Sequence, residues 1–149
     1  MGFEVRNGPS DSGEGHITID FNAYDSIGAG TWSFALSTSQ WFNGAFRNNG
    51  SDGDNITYKL FLAKGTYKIV HMGMTTNADG ILKVDIDGTT RLTVDGYSAG
   101  TVANVRTASS TFVVSSSGIV DLKIKCDGKH ASSSNYYIRS QALTLYRTA

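Results

Sequence analysis

The chain has 149 residues, 13 basic and 13 acidic, and a formal net charge of zero, so no global field draws it to nucleic acid or an anionic membrane. Ser and Thr number 32 and Gly 17, whereas Leu numbers 8 and Glu plus Gln only 4; strong helix formers are too scarce for a helical bundle. Sixteen aromatic residues and a single Pro exclude a disordered chain, and no apolar run reaches the ~18 residues of a membrane span.

Residues 1–54 are rich in Gly, Asn and Ser and hold two basic against seven acidic residues (2 − 7 = −5). They read as an irregular amino-terminal arm with short strands over 17–24, 31–37 and 41–47, separated by turn clusters at 7–9, 27–30 and 48–53. The opening six residues lack the apolar stretch of a secretory signal, and the lone Cys126 allows no intrachain disulfide.

From Asn55 the pattern becomes regular, and residues 55–149 read as the core of one domain. Ile56, Tyr58, Leu60 and Leu62 alternate with Thr57, Lys59 and Phe61. A turn at Lys64-Gly65 leads to a stretch over 66–74 that is apolar on both faces, as a central strand should be. Leu82, Val84 and Ile86 then oppose Lys83, Asp85 and Asp87. Asp87-Gly88 predicts a two-residue hairpin, whose turn needs positive φ at both central residues. Leu92 and Val94 return, a polar stretch covers 97–110, and Phe112 and Val114 mark a further strand. Val120, Leu122, Ile124 and Cys126 alternate with Asp121, Lys123 and Lys125, a loop covers 127–135, and 136–147 closes the chain with Leu143 and Leu145 facing in.

Nine to ten strands at this spacing, with no helical pattern between them, predict an all-β antiparallel β-sandwich of jelly-roll type. Its core should hold Tyr58, Leu60, Ile69, Leu82, Val84, Ile86, Leu92, Val94, Phe112, Val120, Leu122, Ile124, Leu143 and Leu145.

The motifs that carry chemistry are few. Gly96-Tyr97-Ser98-Ala99-Gly100 spells G-x-S-x-G, and Asp121 or Asp127 and then His130 follow in hydrolase order. That chemistry needs a strand-to-helix turn at the serine, and the β-branched, polar residues 101–107 do not supply the helix. The glutamates Glu4 and Glu14 lie in the arm, and Asp87 is accounted for by its turn, so no carboxylate pair suits glycoside hydrolysis. His16, His71 and His130 are isolated, which argues against zinc. Asp52-Gly53-Asp54-Asn55 is rich in oxygen but short of the ligands calcium takes, and it reads as a solvated turn. The expectation is a protein that is not an enzyme and needs no cofactor or metal.

The remaining candidates are ring-bearing. Trp32 and Trp41 flank strands, and Tyr97, Tyr136 and Tyr137 flank loops. Such rings fill the ends of a core, anchor an interface or stack on sugar faces. Asn135 and Asp95 sit beside them as polar contacts.

Three stretches, 62–69, 84–88 and 127–137, look familiar together. Gly65-Thr66-Tyr67 and Val84-Asp85-Ile86-Asp87-Gly88 resemble a pattern of jelly-roll carbohydrate-binding modules. All three, with Asp95-Gly96-Tyr97 and the closing residues 143–149, look more like jelly-roll domains of tailed-bacteriophage virion proteins. The second resemblance implies a capsid decoration (cement) protein, found in the virion after assembly in the host cytoplasm. It would bind the major capsid protein and itself as a homotrimer, through the arm with Trp32 and Trp41 as anchors. The alternatives are a tail-fibre domain, which the second resemblance also implies, and a glycan-binding module, which the first implies; the rings and amide at Tyr97, Asn135, Tyr136 and Tyr137 would then be the contacts with sugar. No family site residue carries over, because the matched positions are turns and core strands.

Overall fold

A computed structural model describes residues 3–7, 15–36 and 45–149, which form fourteen strands and no helix. The strands are β1 (Phe3–Asn7), β2 (Gly15–Ile19), β3 (Ser26–Ala29), β4 (Trp32–Leu36), β5 (Ala45–Asn48), β6 (Asn55–Leu62) and β7 (Gly65–Thr75). They continue as β8 (Gly80–Ile86), β9 (Thr89–Asp95), β10 (Val102–Ala108), β11 (Phe112–Val114), β12 (Gly118–Lys129), β13 (Arg139–Ser140) and β14 (Ala142–Arg147). One sheet runs β1-β2-β14-β7-β10, with β11 also on β7; a second runs β3-β6-β12-β8-β9. Every pairing between these strands is antiparallel.

The two sheets share one core. Ile17 and Ile19 of β2, Tyr67 and Ile69 of β7, and Leu143 and Leu145 of β14 cluster with the inward residues of β6, β8, β9 and β12. All fourteen residues expected in the core are buried. The cause is visible along β12: Val120, Leu122, Ile124 and Cys126 go in, while Asp121, Lys123 and Lys125 face out or sit at the margin. On the outer face, Lys59 pairs with Asp121 at 2.7 Å, Lys83 with Asp127 at 2.6 Å and Lys125 with Asp85 at 2.9 Å, a set of cross-strand partners that fixes register. Asp87 (φ 46°) and Gly88 (φ 80°) make the expected hairpin turn.

Several local expectations change. The polar stretch 97–110 contains β10, whose register on β7 shifts between Val102 and Val105, with Asn104 at φ 57°. That bulge puts the two valines three apart and removes the alternation that marks a strand. Residues 27–30 are not only a turn, since β3 pairs β6 there as an edge strand. Residues 136–147 are not one strand: β13 and β14 join different sheets.

One strand of the amino-terminal stretch belongs to the main sheet. β2 lies between β1 and β14 and supplies Ile17 and Ile19 to the core, so these residues are part of the sandwich and not an appendage. Trp32 is 7% exposed inside the same cluster, with its indole N–H donating to the Ala29 carbonyl at 3.1 Å. A ring so placed has no surface to offer a capsid or a subunit. Trp41 lies outside the described residues.

A third, small sheet, β4-β5-β13, closes one end of the sandwich. Its register sets Arg139 opposite Arg47 and Ser140 opposite Phe46.

Candidate functional site

The loops at that end are fastened to one turn, Thr76 to Asp79, between β7 and β8. The turn holds itself: the Thr76 hydroxyl donates to Asp79 Oδ1 at 2.7 Å and accepts from the Ala78 amide at 3.1 Å. On one side the loop after β9 is bound in by Thr76 N to Gly96 O at 3.0 Å and Ser98 N to Thr76 O at 3.1 Å, which forms a bridge between Thr76 and Tyr97. Glycine is required at 96, because a Cβ there would lie 2.6 Å from the Gly80 carbonyl and 2.8 Å from Asp79 Cβ. On the other side the loop after β12 is tied by Ser134 N to Asn77 O at 2.9 Å, Tyr137 N to Ala78 O at 3.2 Å and Gly80 N to Tyr137 O at 2.7 Å. The Ser133 hydroxyl donates to the Asp79 carbonyl at 2.6 Å. Tyr97 and Tyr137 therefore flank the same four-residue turn.

The rings differ in what they offer. Tyr97 lies parallel to His130, with centroids 4.4 Å apart and planes 7° from parallel, so each has one ring face covered by the other. Tyr137 has two guanidinium groups beside it, with Arg47 Cζ 4.9 Å and Arg139 Cζ 5.2 Å from its centroid. Tyr136 turns inward against the core and carries Lys129 Nζ 4.6 Å above its ring, so the pair Tyr136-Tyr137 splits into a packing residue and a surface one. The Asn135 Oδ1 accepts from the Tyr136 amide at 2.8 Å, and its side-chain NH2 makes no hydrogen bond among the described residues. Gly50, at φ 90°, brings its backbone against both Tyr137 and Asn135; a Cβ would fall 2.8 Å from the Tyr137 ring.

Beneath the rings lies a buried charge. Asp79 is 1% exposed and pairs with Arg139 at 3.3 Å, while its Oδ2 has no hydrogen-bond partner. Burial pushes the Asp79 carboxyl up to about 6, against the opposing pull of Arg139, Thr76 and Arg47. Two arginines opposite each other on paired strands repel; Asp79 and the Tyr137 π-face compensate them. Nearby, buried Asn48 donates through Nδ2 to Asp54 Oδ2 and the Tyr136 carbonyl, both at 3.0 Å, and accepts from the Ile138 amide at 2.9 Å. The His71 imidazole, fully enclosed and 2.8 Å from the Ser140 hydroxyl, is pushed down to about 4 by burial.

Of the sequence candidates, the structure gathers Tyr97, Asn135 and Tyr137 at one edge, with Tyr136 behind them. Arg47, Asp79 and Arg139 belong to the same edge but carry no mark in the sequence, because only loop docking and one cross-strand register bring them in; His130, marked there only for hydrolase or metal chemistry, joins them as the stacking partner of Tyr97. The oxygen-rich turn has its carboxylates occupied: Asp54 by Asn48 and the Ser51 amide, Asp52 by the Gly128 amide. Among the described residues no three His, Cys, Asp or Glu side chains are grouped to hold a metal ion. The Ser98 hydroxyl donates to the Gly100 carbonyl and His130 Nδ1 accepts from the Ser132 amide, and the strand β10, not a helix, follows Ser98.

No family model and no curated protein sequence matches the chain. Solved structures do. A Paenibacillus xanthan lyase aligns at TM-score 0.72 and 19% identity over 88% of this chain and 13% of the lyase. A carbohydrate-binding module (CBM6cm-2) from Cellvibrio mixtus lichenase 5A, in complex with cellotriose, aligns at 0.61 and 15% over 89% of this chain and 97% of the module. A CBM36 in complex with calcium and xylotriose aligns at 0.56 and 14% over 87% and 98%. At these identities the likeness shows the fold: the chain has the β-sandwich jelly roll of carbohydrate-binding modules. It spans nearly the whole of the two modules but only about an eighth of the lyase. The likeness favours the weaker of the two sequence resemblances, and the capsid, virion and homotrimer expectations gain no support from it.

Proposed function

We propose that the chain is a non-catalytic glycan-binding module whose binding edge is the loop end around Tyr97, His130, Asn135 and Tyr137. The observation that carries this reading is the pair of rings fixed to one turn: Tyr97 stacked on His130, and Tyr137 beside two guanidinium groups. Sugar rings stack their C–H faces on such surfaces, while the Asn135 amide and the arginine N–H groups supply donors for hydroxyls. Because the rings are held by backbone hydrogen bonds that tie two loops to one turn, little ordering is left to do on binding. The modules of the same fold, solved with cellotriose and xylotriose, make short β-linked oligosaccharides the first ligands to try.

The test is a glycan array followed by calorimetry. Reproducible binding is expected, with Tyr97→Ala and Tyr137→Ala each weakening it about tenfold or more, on the order of 1.4 kcal/mol. Binding that both variants retain in full would remove the loop edge as the site.

A further inference from the structure

The opposite end of the sandwich holds a cleft of about 400 Å³ between the β8–β9 hairpin and the β11–β12 turn. That size falls within the roughly 300–1,000 Å³ of small-ligand sites. Its floor is apolar, with Ile86, Phe112 and Val120, and one wall is the hydroxyl run Ser115-Ser116-Ser117.

The charge in the cleft is placed by an irregularity of the backbone. Val84 pairs with Leu92 but Asp85 pairs with Thr90, so Arg91 is the extra residue of a β-bulge. Thr90 goes to the outer face, where its hydroxyl donates to Asp85 Oδ1 at 2.7 Å, and Leu92 goes to the core. Arg91 belongs to neither face. The bulge sends it over the Phe112 ring, with Cζ 4.9 Å from the centroid. Its Nε is buried without a hydrogen-bond partner, and it has no ion pair among the described residues. The carboxylate at the rim, Asp87, makes no ion pair with Arg91 among the described residues; its Oδ1 accepts from the Asp121 amide at 2.8 Å. A guanidinium held rigidly on a ring, with donors unspent and hydroxyls opposite, matches a carboxylate on a hydroxylated ligand.

We propose that this cleft is a second binding site, for a hydroxylated carboxylate of the hexuronic acid class. Arg91 takes the carboxylate, and the serine run takes hydroxyls. The site stands apart from the loop edge, so success or failure at one says nothing of the other.

The experiment is an amide NMR titration of the full chain with sodium glucuronate, with glucose and sodium sulfate as comparisons. Glucuronate should shift Arg91 and residues 115–117 saturably while Tyr97 and Tyr137 stay put. Arg91→Gln should weaken that response at least fivefold. Ser116→Glu, at an exposed turn that leaves packing alone, should weaken it comparably by repelling the carboxylate. No saturable shift at the cleft, an unchanged response in both variants, or an equal response to sulfate or to glucose would overturn the proposal.

Discussion

The two ends of the sandwich solve the same problem, placing arginines near rings, by different means. At the loop end Arg47 and Arg139 reach Tyr137 through a small third sheet and two loops docked on the Thr76–Asp79 turn, and a buried carboxylate compensates them. At the far end a single bulged residue turns Arg91 onto Phe112, and among the described residues no ion pair answers it. One end is a long-range construction in which a carboxylate pairs with the arginines' charge. The other is a local device left open. The first should be sensitive to any change in its fastening, the second tolerant.

Glycine substitution separates the ends most strongly. Gly96→Ala puts a methyl group against a backbone carbonyl and Asp79, and should cost about 2–4 kcal/mol and disorder the loop edge. Gly118→Ala meets open space at the far end, and should be neutral or stabilising by up to about 0.5 kcal/mol. Chemical denaturation of the two variants measures the difference.

Next is Asn48, a buried amide serving three partners at the loop end. Asn48→Ala leaves the Ile138 amide and the Tyr136 carbonyl short of a partner and should cost about 2–3 kcal/mol. Glycan affinity should fall with it, since the segment carrying Tyr137 loses its tie.

The contrast also explains what the sequence reveals. Strands β6, β8, β9 and β12 are legible because one face is buried and the other wet, which imposes period two. Asp87-Gly88 is legible because its conformation demands those residue types. β10 and the setting of Arg91 are not, because a bulge inserts one residue and breaks the period where it matters. At the loop edge Tyr97, Asn135 and Tyr137 stand out as rings and amides beside turns. Arg47, Asp79 and Arg139 do not, since their roles arise from contacts between segments as far apart as β5 and β13. Trp32 misleads for a related reason: a large ring at a strand end looks the same in sequence whether it faces the core or solvent.

Acid sharpens the comparison, because His71 and Asp79 both lie at the loop end. His71 stays neutral in the folded protein down to about pH 4, whereas the unfolded chain protonates near 6.5, so its contribution to stability is lost as pH falls from 6.5 toward 4. Asp79 acts oppositely: with its folded value at about 6, above the ordinary 3.8, its penalty at neutral pH is relieved as pH falls from 6 toward 3.8. The melting temperature of the wild type relative to His71→Gln should therefore shrink from pH 7 to pH 4. Relative to Asp79→Asn it should grow over the same interval.

The smallest effect belongs to the outer face. Lys59 and Asp121 are about half exposed, and Lys59→Ala should leave the melting curve in physiological salt unchanged.

The central claim is that the loop edge binds glycan, and the most direct measurement is an amide NMR titration with a β-linked trisaccharide such as cellotriose or xylotriose. Saturable shifts are expected, confined to the segments around Tyr97, His130, Asn135 and Tyr137, and reached only at about tenfold or more higher ligand in Tyr137→Ala while the rest of the spectrum is preserved. Shifts that map to another surface and persist in Tyr137→Ala would contradict the claim.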